Sequence, residues 1–254
     1  MSVAVSREDG VVLVTLDRPA RRNALTVEGF AELGRVLAEI AANPTDRAVV
    51  VTGAGGAFCG GADLSEGVPD EAVLRVMDRV NVAARALHRL PQPCVAAVDG
   101  PAVGAGMSIA LGCDIVLASQ RATFSQVFVK RGLSPDFGSS WLLPRLVGLH
   151  TAKRLAFLGD TIDAAQALSL GIVAEVTEPS ALLPAATALA RRLAGGPPIA
   201  LAQTKRLLNA AFTSSFDEAL DAEAAASAVN TATEDVAEAF AAFAEKRSAV
   251  FRGR

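Results

Sequence analysis

The 254-residue chain is poor in the residues that announce several kinds of chemistry. Its three cysteines, Cys59, Cys94 and Cys113, lie far apart without CxxC or Cys/His ligand spacing, which excludes a disulfide framework and the usual zinc site. No metal is expected, and a reduced setting fits. The two histidines, His88 and His150, fall in helical contexts beside Arg89 and Thr151 with no partner in sequence, and read as structural or solvated. A net charge of -3 leaves no cationic excess for a polyanion, so nucleic acid is a poor partner. No apolar run is long enough to span a bilayer, and "MSVAVSREDG" lacks the charged start and apolar core of a signal peptide. The expectation is a soluble, unprocessed, cytoplasmic chain. GxxxxGK[ST] is missing, so a P-loop is excluded. Gly104-Ala105-Gly106 is followed by Ile109 where a dinucleotide fingerprint needs its third small residue.

What is present is a strand-then-glycine grammar used three times. "VVLVTLDRP" (11–19), "AVVVTGAGGAF" (48–58) and "CVAAVDGPAVG" (94–104) are apolar, β-branched runs ended by proline or glycine. Between them, Phe30, Leu33, Leu37 and Ile40 recur at helical spacing behind a Thr26 N-cap, and the segment from about 70 to 90 has the same character. Strands alternating with helices, and strands apolar throughout, predict an α/β core with both sheet faces covered. After residue 137 strands become scarce, with "GIVAEV" (171–176) the last candidate. "GGPP" (195–198) divides a main unit, 1–195, from a helical region, 196–254. The alanine-rich helices 199–212, 216–230 and 234–247 need burial that they do not supply for each other. They either cap the chain's own core or pack against neighbouring subunits.

Two corners, "GAGGAFCGGADL" (53–64) and "GPAVGAGMSIALGCD" (100–114), put glycine where a strand ends. Each alone is compatible with a simple turn. Together they can bring two backbone N–H groups onto one oxygen, the arrangement that stabilises an enolate or a tetrahedral oxyanion. A helix opening near Gly104 would add the positive end of its dipole.

"LDRPARRNAL" (16–25), "AFCGGADL" (57–64), "AAVDGPAVGAGMSIALGCDIVLAS" (96–119), "ATF" (122–124), "GLSPDFGSSWLLPRLVG" (132–148) and "FAEKRSAVFRGR" (243–254) resemble, in order and spacing, the enoyl-CoA hydratase/isomerase, or crotonase, superfamily. The resemblance implies a spiral of repeated strand-strand-helix units and a C-terminal helical region for trimer formation, often in a dimer of trimers, that covers the site. It implies a coenzyme A thioester as ligand, with no separate cofactor because coenzyme A is part of the substrate. By position, the amides of Ala62 and Ala105 would form the oxyanion hole; the family usually has glycine at the second place. Gly60, Ala62, Asp63 and Leu64 would lie along the adenine and pantetheine. Arg21, Arg22, Lys205 and Lys246 are candidates for the phosphates, and Phe251 for the nucleotide.

The departures bear on the chemistry. Hydratases of this family use two glutamates, at the positions held here by Ser108 and Phe128. Neither residue supplies a carboxylate base, so two-glutamate hydration is disfavoured. Phe128 instead makes that wall apolar, and Ser108 is left a water-holding or ligand-contacting role, or a bond back to its own helix. Asp136 falls where several isomerases of the superfamily, including the ring-opening epoxyphenylacetyl-CoA isomerases, carry their working acid. Burial among Phe128, Phe137 and Trp141 would raise its pKa. Local sequence also suits Asp136 as a turn residue or helix N-cap. Three readings follow: an isomerase with Asp136 as single proton shuttle, which is favoured; an atypical hydratase; and a non-catalytic acyl-CoA carrier or regulator.

Overall fold

Alternate residues of the central strands bury on opposite faces of one sheet. In the computed structural model, which describes residues 2–67 and 71–254, β1 (Val3–Glu8) and β2 (Val11–Leu16) form a hairpin, followed by α1 (Val27–Ala42) and β3 (Ala48–Gly53). Then come α2 (Val73–His88), β4 (Cys94–Val98), β5 (Pro101–Val103), α3 (Ala105–Gly112), β6 (Ile115–Ser119) and β7 (Thr123–Ser125). The chain continues through α4 (Ser139–Val147), α5 (Leu149–Leu158), β8 (Thr161–Asp163), α6 (Ala164–Ser169), β9 (Glu175–Thr177) and α7 (Pro179–Ala194). It ends in α8 (Pro198–Ala210), α9 (Phe216–Thr231) and α10 (Glu234–Glu245). Residue 70, where the sequence begins the second helical pattern, lies outside the described residues.

The main sheet has the order β1-β2-β3-β4-β6-β9, parallel except for the β1–β2 hairpin, and a second sheet has the order β5-β7-β8. On one face Val49, Val51, Ala96 and Val98 pack with Leu33 and Leu37 of α1 and Val80 and Leu87 of α2. On the other, Ala48, Val50, Val95 and Ala97 meet Leu182, Ala186 and Ala190 of α7. Parallel strands joined by helices have both faces covered, which is why their sequences are apolar throughout. Thr26 caps α1 as its sequence predicts, its side chain accepting from Gly29 N at 3.0 Å. No helix among the described residues is long and apolar enough to cross a membrane.

The structure departs from the sequence reading at several strands, β6 and β7 among them, which that reading does not propose. The run 94–104 is not one strand: it breaks at Asp99-Gly100 and changes sheets, and Gly100 (φ 67°) permits the change because a Cβ there would lie 2.2 Å from the Gly56 carbonyl oxygen. "GIVAEV" contributes only its last two residues to β9, while Ile172 and Val173 are buried in a turn. β1 was not anticipated; it is an exposed edge strand joined through Asp9 and Gly10, both left-handed, the geometry of an Asp-Gly hairpin. β8, three residues long, carries too little pattern to be seen.

The C-terminal helices attach at one end of the parallel strands. Arg47, just before β3, donates to the carbonyls of Gly196 and Phe251; Lys205 bonds Asp114, just before β6, and the Gln92 carbonyl, just before β4. These are the N-terminal ends of the strands. The corners at 53–64 and 100–106 lie at their C-terminal ends.

α3 packs against the first corner without side chains between them. The Cys59 carbonyl accepts Val103 N–H at 2.9 Å and would stand 2.2 Å from a Cβ on Gly106. Gly106→Ala should therefore lose about 3 kcal/mol of unfolding free energy in urea. Gly195→Ala, with right-handed backbone and its nearest neighbour at 3.6 Å, should be neutral or mildly stabilising.

Candidate active site

The loop 18–25 is the template on which the first corner is laid. Asn23 is fully buried and left-handed (φ 57°), a conformation that asparagine tolerates. Its Oδ1 accepts the Arg18 N–H at 2.8 Å, and its Nδ2 donates to the carbonyls of Ala54 and Ala57 at 2.8 and 2.7 Å. Gly60 N–H donates to Arg22 O, Leu25 N–H to Gly61 O and Asp63 N–H to Leu25 O. In an extended segment successive groups point to opposite sides. With Gly61 O and Asp63 N turned to Leu25, the Ala62 N–H faces the other way, toward α3.

The second donor stands beside it. Gly104 (φ 55°) opens α3, leaving the Ala105 amide at its N-terminus. A Cβ on Gly61 would lie 3.6 Å from the Ala105 nitrogen, so the segments holding the two amides are in contact. Among the described residues neither amide has a backbone or side-chain acceptor. Two free N–H groups and a helix N-terminus at one place suit an oxygen that gains negative charge. Ala62 and Leu64 are exposed, so in one chain this is an open groove.

Phe128 walls the groove: a Cβ on Gly104 would sit 3.7 Å from its ring Cζ, and the ring is buried. Ser108 is fully buried, and its hydroxyl donates to the Gly104 carbonyl at 3.1 Å, the back-bond of a serine inside a helix. Asp63 caps the turn Leu64–Glu66; hydrogen bonds from Ser65, with an ion pair to Arg18 Nη2 at 2.9 Å, hold its pKa below the ordinary value. The Cys59 thiol donates to Asn23 O, and burial pushes its pKa up to about 12, so it is an inert core group.

Asp136 is not a helix cap. Gly138 (φ 82°) occupies the N-cap of α4, and no side chain caps it. The Asp136 main-chain carbonyl, not its carboxylate, accepts the Ser139 N–H at 3.0 Å. Its Oδ1 is buried with no hydrogen-bond partner, and burial pushes its pKa up to about 6. The next residue, Phe137, is also left-handed (φ 51°), at a cost on the order of 1 kcal/mol. Its buried ring, 5.8 Å from that of Phe30, holds the turn in place. The turn joins the groove through Gln126: Ser139 Oγ reaches Gln126 Oε1 at 3.2 Å, and the preceding Ser125 carbonyl accepts Gly104 N–H at 2.8 Å.

Other sequence candidates lie elsewhere. Lys205 is not free for a phosphate: Nζ donates to Asp114 at 2.7 Å and to the Gln92 carbonyl at 3.2 Å. Phe251 lies beside Arg47, at the opposite end of the strands from Ala62 and Ala105. The C-terminal region therefore does not cover the groove of its own chain. Lys246 is the exposed left-handed cap of α10, and Arg21 and Arg22 are exposed at the rim. His88 packs edge-on against Trp141 at 5.3 Å, its pKa lowered by burial. A cavity of about 690 Å³ lined by His88, Phe137, Trp141 and Gly112 lies at the far end of α3. The residue that sequence reasoning missed is Asn23. An asparagine just ahead of an apolar pair in "RRNAL" was its one signal.

The fold and the groove define a protein that can hold a carbonyl oxygen on two main-chain amides. Residues 6–254 match the family model described as enoyl-CoA hydratase/isomerase, and the chain belongs to that family. It is 38% identical over 253 residues, 97% of each chain, to 1,2-epoxyphenylacetyl-CoA isomerase of Escherichia coli. It is 37% identical, over 97% of this chain and 95% of the other, to short-chain-enoyl-CoA hydratase of Clostridium acetobutylicum. The crystal structure of enoyl-CoA hydratase from Bacillus anthracis superposes with a TM-score of 0.96 at 31% identity, covering 100% of both chains.

The Asp136 environment has a thermodynamic signature. Between the ordinary carboxyl pKa of 3.8 and about 6, the native state holds a proton that the unfolded chain has lost, so stability falls as pH rises through that window and stays reduced above it. Asp136→Asn should be more stable than wild type at pH 7.5 by about 2 kcal/mol, the gap closing near pH 4. Urea melts at both pH values check this.

Proposed function

We propose that the protein isomerises an acyl-CoA thioester, moving a double bond or opening a ring through an enolate, with Asp136 as the single proton shuttle. The observation that carries this is the Asp136 carboxyl, whose Oδ1 is buried without a hydrogen-bond partner and whose pKa is raised to about 6. The thioester oxygen would sit on the amides of Ala62 and Ala105. Ionised Asp136 takes a proton from the carbon chain, negative charge gathers on the oxygen between those amides, and the protonated carboxyl returns the proton to another carbon of the same dienolate. One carboxyl suffices because the base that accepts a proton becomes the acid that gives it back. Hydration needs a second polar group to hold and activate water. The places where hydratases of the family carry glutamates are here Ser108, whose hydroxyl is spent on Gly104, and Phe128, whose ring is apolar.

The active form we propose is a trimer or a dimer of trimers. Phe212, Phe216, Phe240 and Phe243 on or beside the C-terminal helices are 67 to 85% exposed, too much aromatic surface for helices meant to face water. With Phe251 at the wrong end of its own chain, a coenzyme A bound at Ala62 would meet the C-terminal segment of a neighbour.

Incubation with 2-enoyl and 3-enoyl thioesters of several chain lengths, reading double-bond position and hydration separately, tests the reading. Double-bond migration should exceed hydration, its kcat/KM rising with pH through about 6 as Asp136 ionises. Asp136→Asn should lower it by roughly a factor of 100 or more with acyl-CoA binding kept. Accumulation of 3-hydroxyacyl product, or full turnover by Asp136→Asn, would overturn it.

A further inference from the structure

A buried polar chain leads from β7 to the carboxyl turn. Gln126 and Ser139 are both buried, and the Ser139 hydroxyl lies 3.2 Å from Gln126 Oε1 and 3.0 Å from the Asp136 main-chain carbonyl. In that arrangement one hydroxyl hydrogen faces two acceptors, while Gln126 Nε2 is buried with no partner. A serine hydroxyl has one hydrogen to give and two lone pairs to receive. The oxygen and nitrogen of a glutamine amide exchange places by a half-turn that moves nothing else. That half-turn gives the one hydroxyl hydrogen a single acceptor: Nε2 donates to Ser139 Oγ, the Ser139 hydroxyl donates to the Asp136 carbonyl, and Oε1 takes the place without a partner.

We infer that Gln126 and Ser139 are positioning residues for Asp136, acting through this directed chain of hydrogen bonds. The inference rests on Asp136 being the proton shuttle. Its carboxyl has no partner on Oδ1 to aim it, so its direction is inherited from the main chain. That main chain is a turn in which Phe137 and Gly138 are left-handed in succession. The Asp136 carbonyl is the point at which the turn is tied down, by the N–H and the hydroxyl of Ser139 together. Gln126 in turn follows the residue whose carbonyl fixes Gly104, so one short segment, Ser125-Gln126, sets both the oxyanion donor of α3 and the acid. A displacement of an ångström between such groups costs a reaction about a hundredfold.

The test compares Ser139→Ala, Gln126→Met, Ser139→Thr and Asp136→Asn in the double-bond migration assay, with kcat, KM, the pH profile and the melting temperature read for each. Ser139→Ala and Gln126→Met should each lower kcat about tenfold or more with KM unchanged, since the amides of Ala62 and Ala105 are untouched. Their acid limb should move down from about 6 toward 3.8, because a loosened carboxyl reaches water. Ser139→Thr, which keeps the hydroxyl, should restore both. A merely structural role would lower the melting temperature and leave the acid limb in place, and that result overturns the inference. So does wild-type kcat in Ser139→Ala and Gln126→Met when Asp136→Asn is inactive, a failure that leaves the shuttle standing. Full turnover by Asp136→Asn removes the shuttle and the inference together.

Discussion

The site depends on one contact in which main chain meets main chain. The Cys59 carbonyl occupies the space a side chain on Gly106 would need, and a Cβ on Gly61 would come within 2.7 Å of the Val103 carbonyl oxygen. The same holds at the approach to the corner, where Gly53 would strike the Ala57 carbonyl at 2.1 Å and Gly100 the Gly56 carbonyl at 2.2 Å. Removing side chains lets the segment 59–62 run alongside 101–105, and that alone brings an amide of one loop beside the first amide of a helix. Loop 18–25 holds the assembly from its other side through the Asn23 side chain and three main-chain hydrogen bonds, from the N–H groups of Gly60, Leu25 and Asp63. The polar function of the groove is thus built from backbone, and side chains enter mainly as packing around it.

This explains what the sequence made legible. The apolar runs at 11–16, 48–53 and 94–98 bury on both faces, so composition alone marks them as strands, and α1 is readable from its spacing and its Thr26 cap. Glycine clusters at strand ends marked both corners, because close backbone approach leaves that trace. Short strands left none: β5, β7 and β8 have three residues each and are defined by partners distant in sequence. The same limit applies to residues of the C-terminal region. Lys205 reads as an exposed helical cation and is tied to Asp114, 91 positions away. Phe251 reads as a nucleotide contact and lies against Arg47, 204 positions away. Both facts depend on how the C-terminal helices dock at the N-terminal ends of the strands, which no local pattern records.

Asp136 shows the interplay most clearly. Pro-Asp-Phe-Gly is good turn sequence, and it does form a turn, but the turn is closed by the main-chain carbonyl and capped by Gly138, which leaves the carboxyl with nothing to do structurally. Burial without a partner costs stability at neutral pH, a cost that the proposed proton shuttle would explain and the turn does not.

An isotope reads the proposed shuttle directly. A 2-enoyl thioester carrying deuterium at its γ-carbon, converted in ordinary water in a single turnover, should yield 3-enoyl product with part of that deuterium on the α-carbon, carried there by Asp136. Product whose α-carbon holds only solvent hydrogen would contradict a single shuttle that keeps its proton.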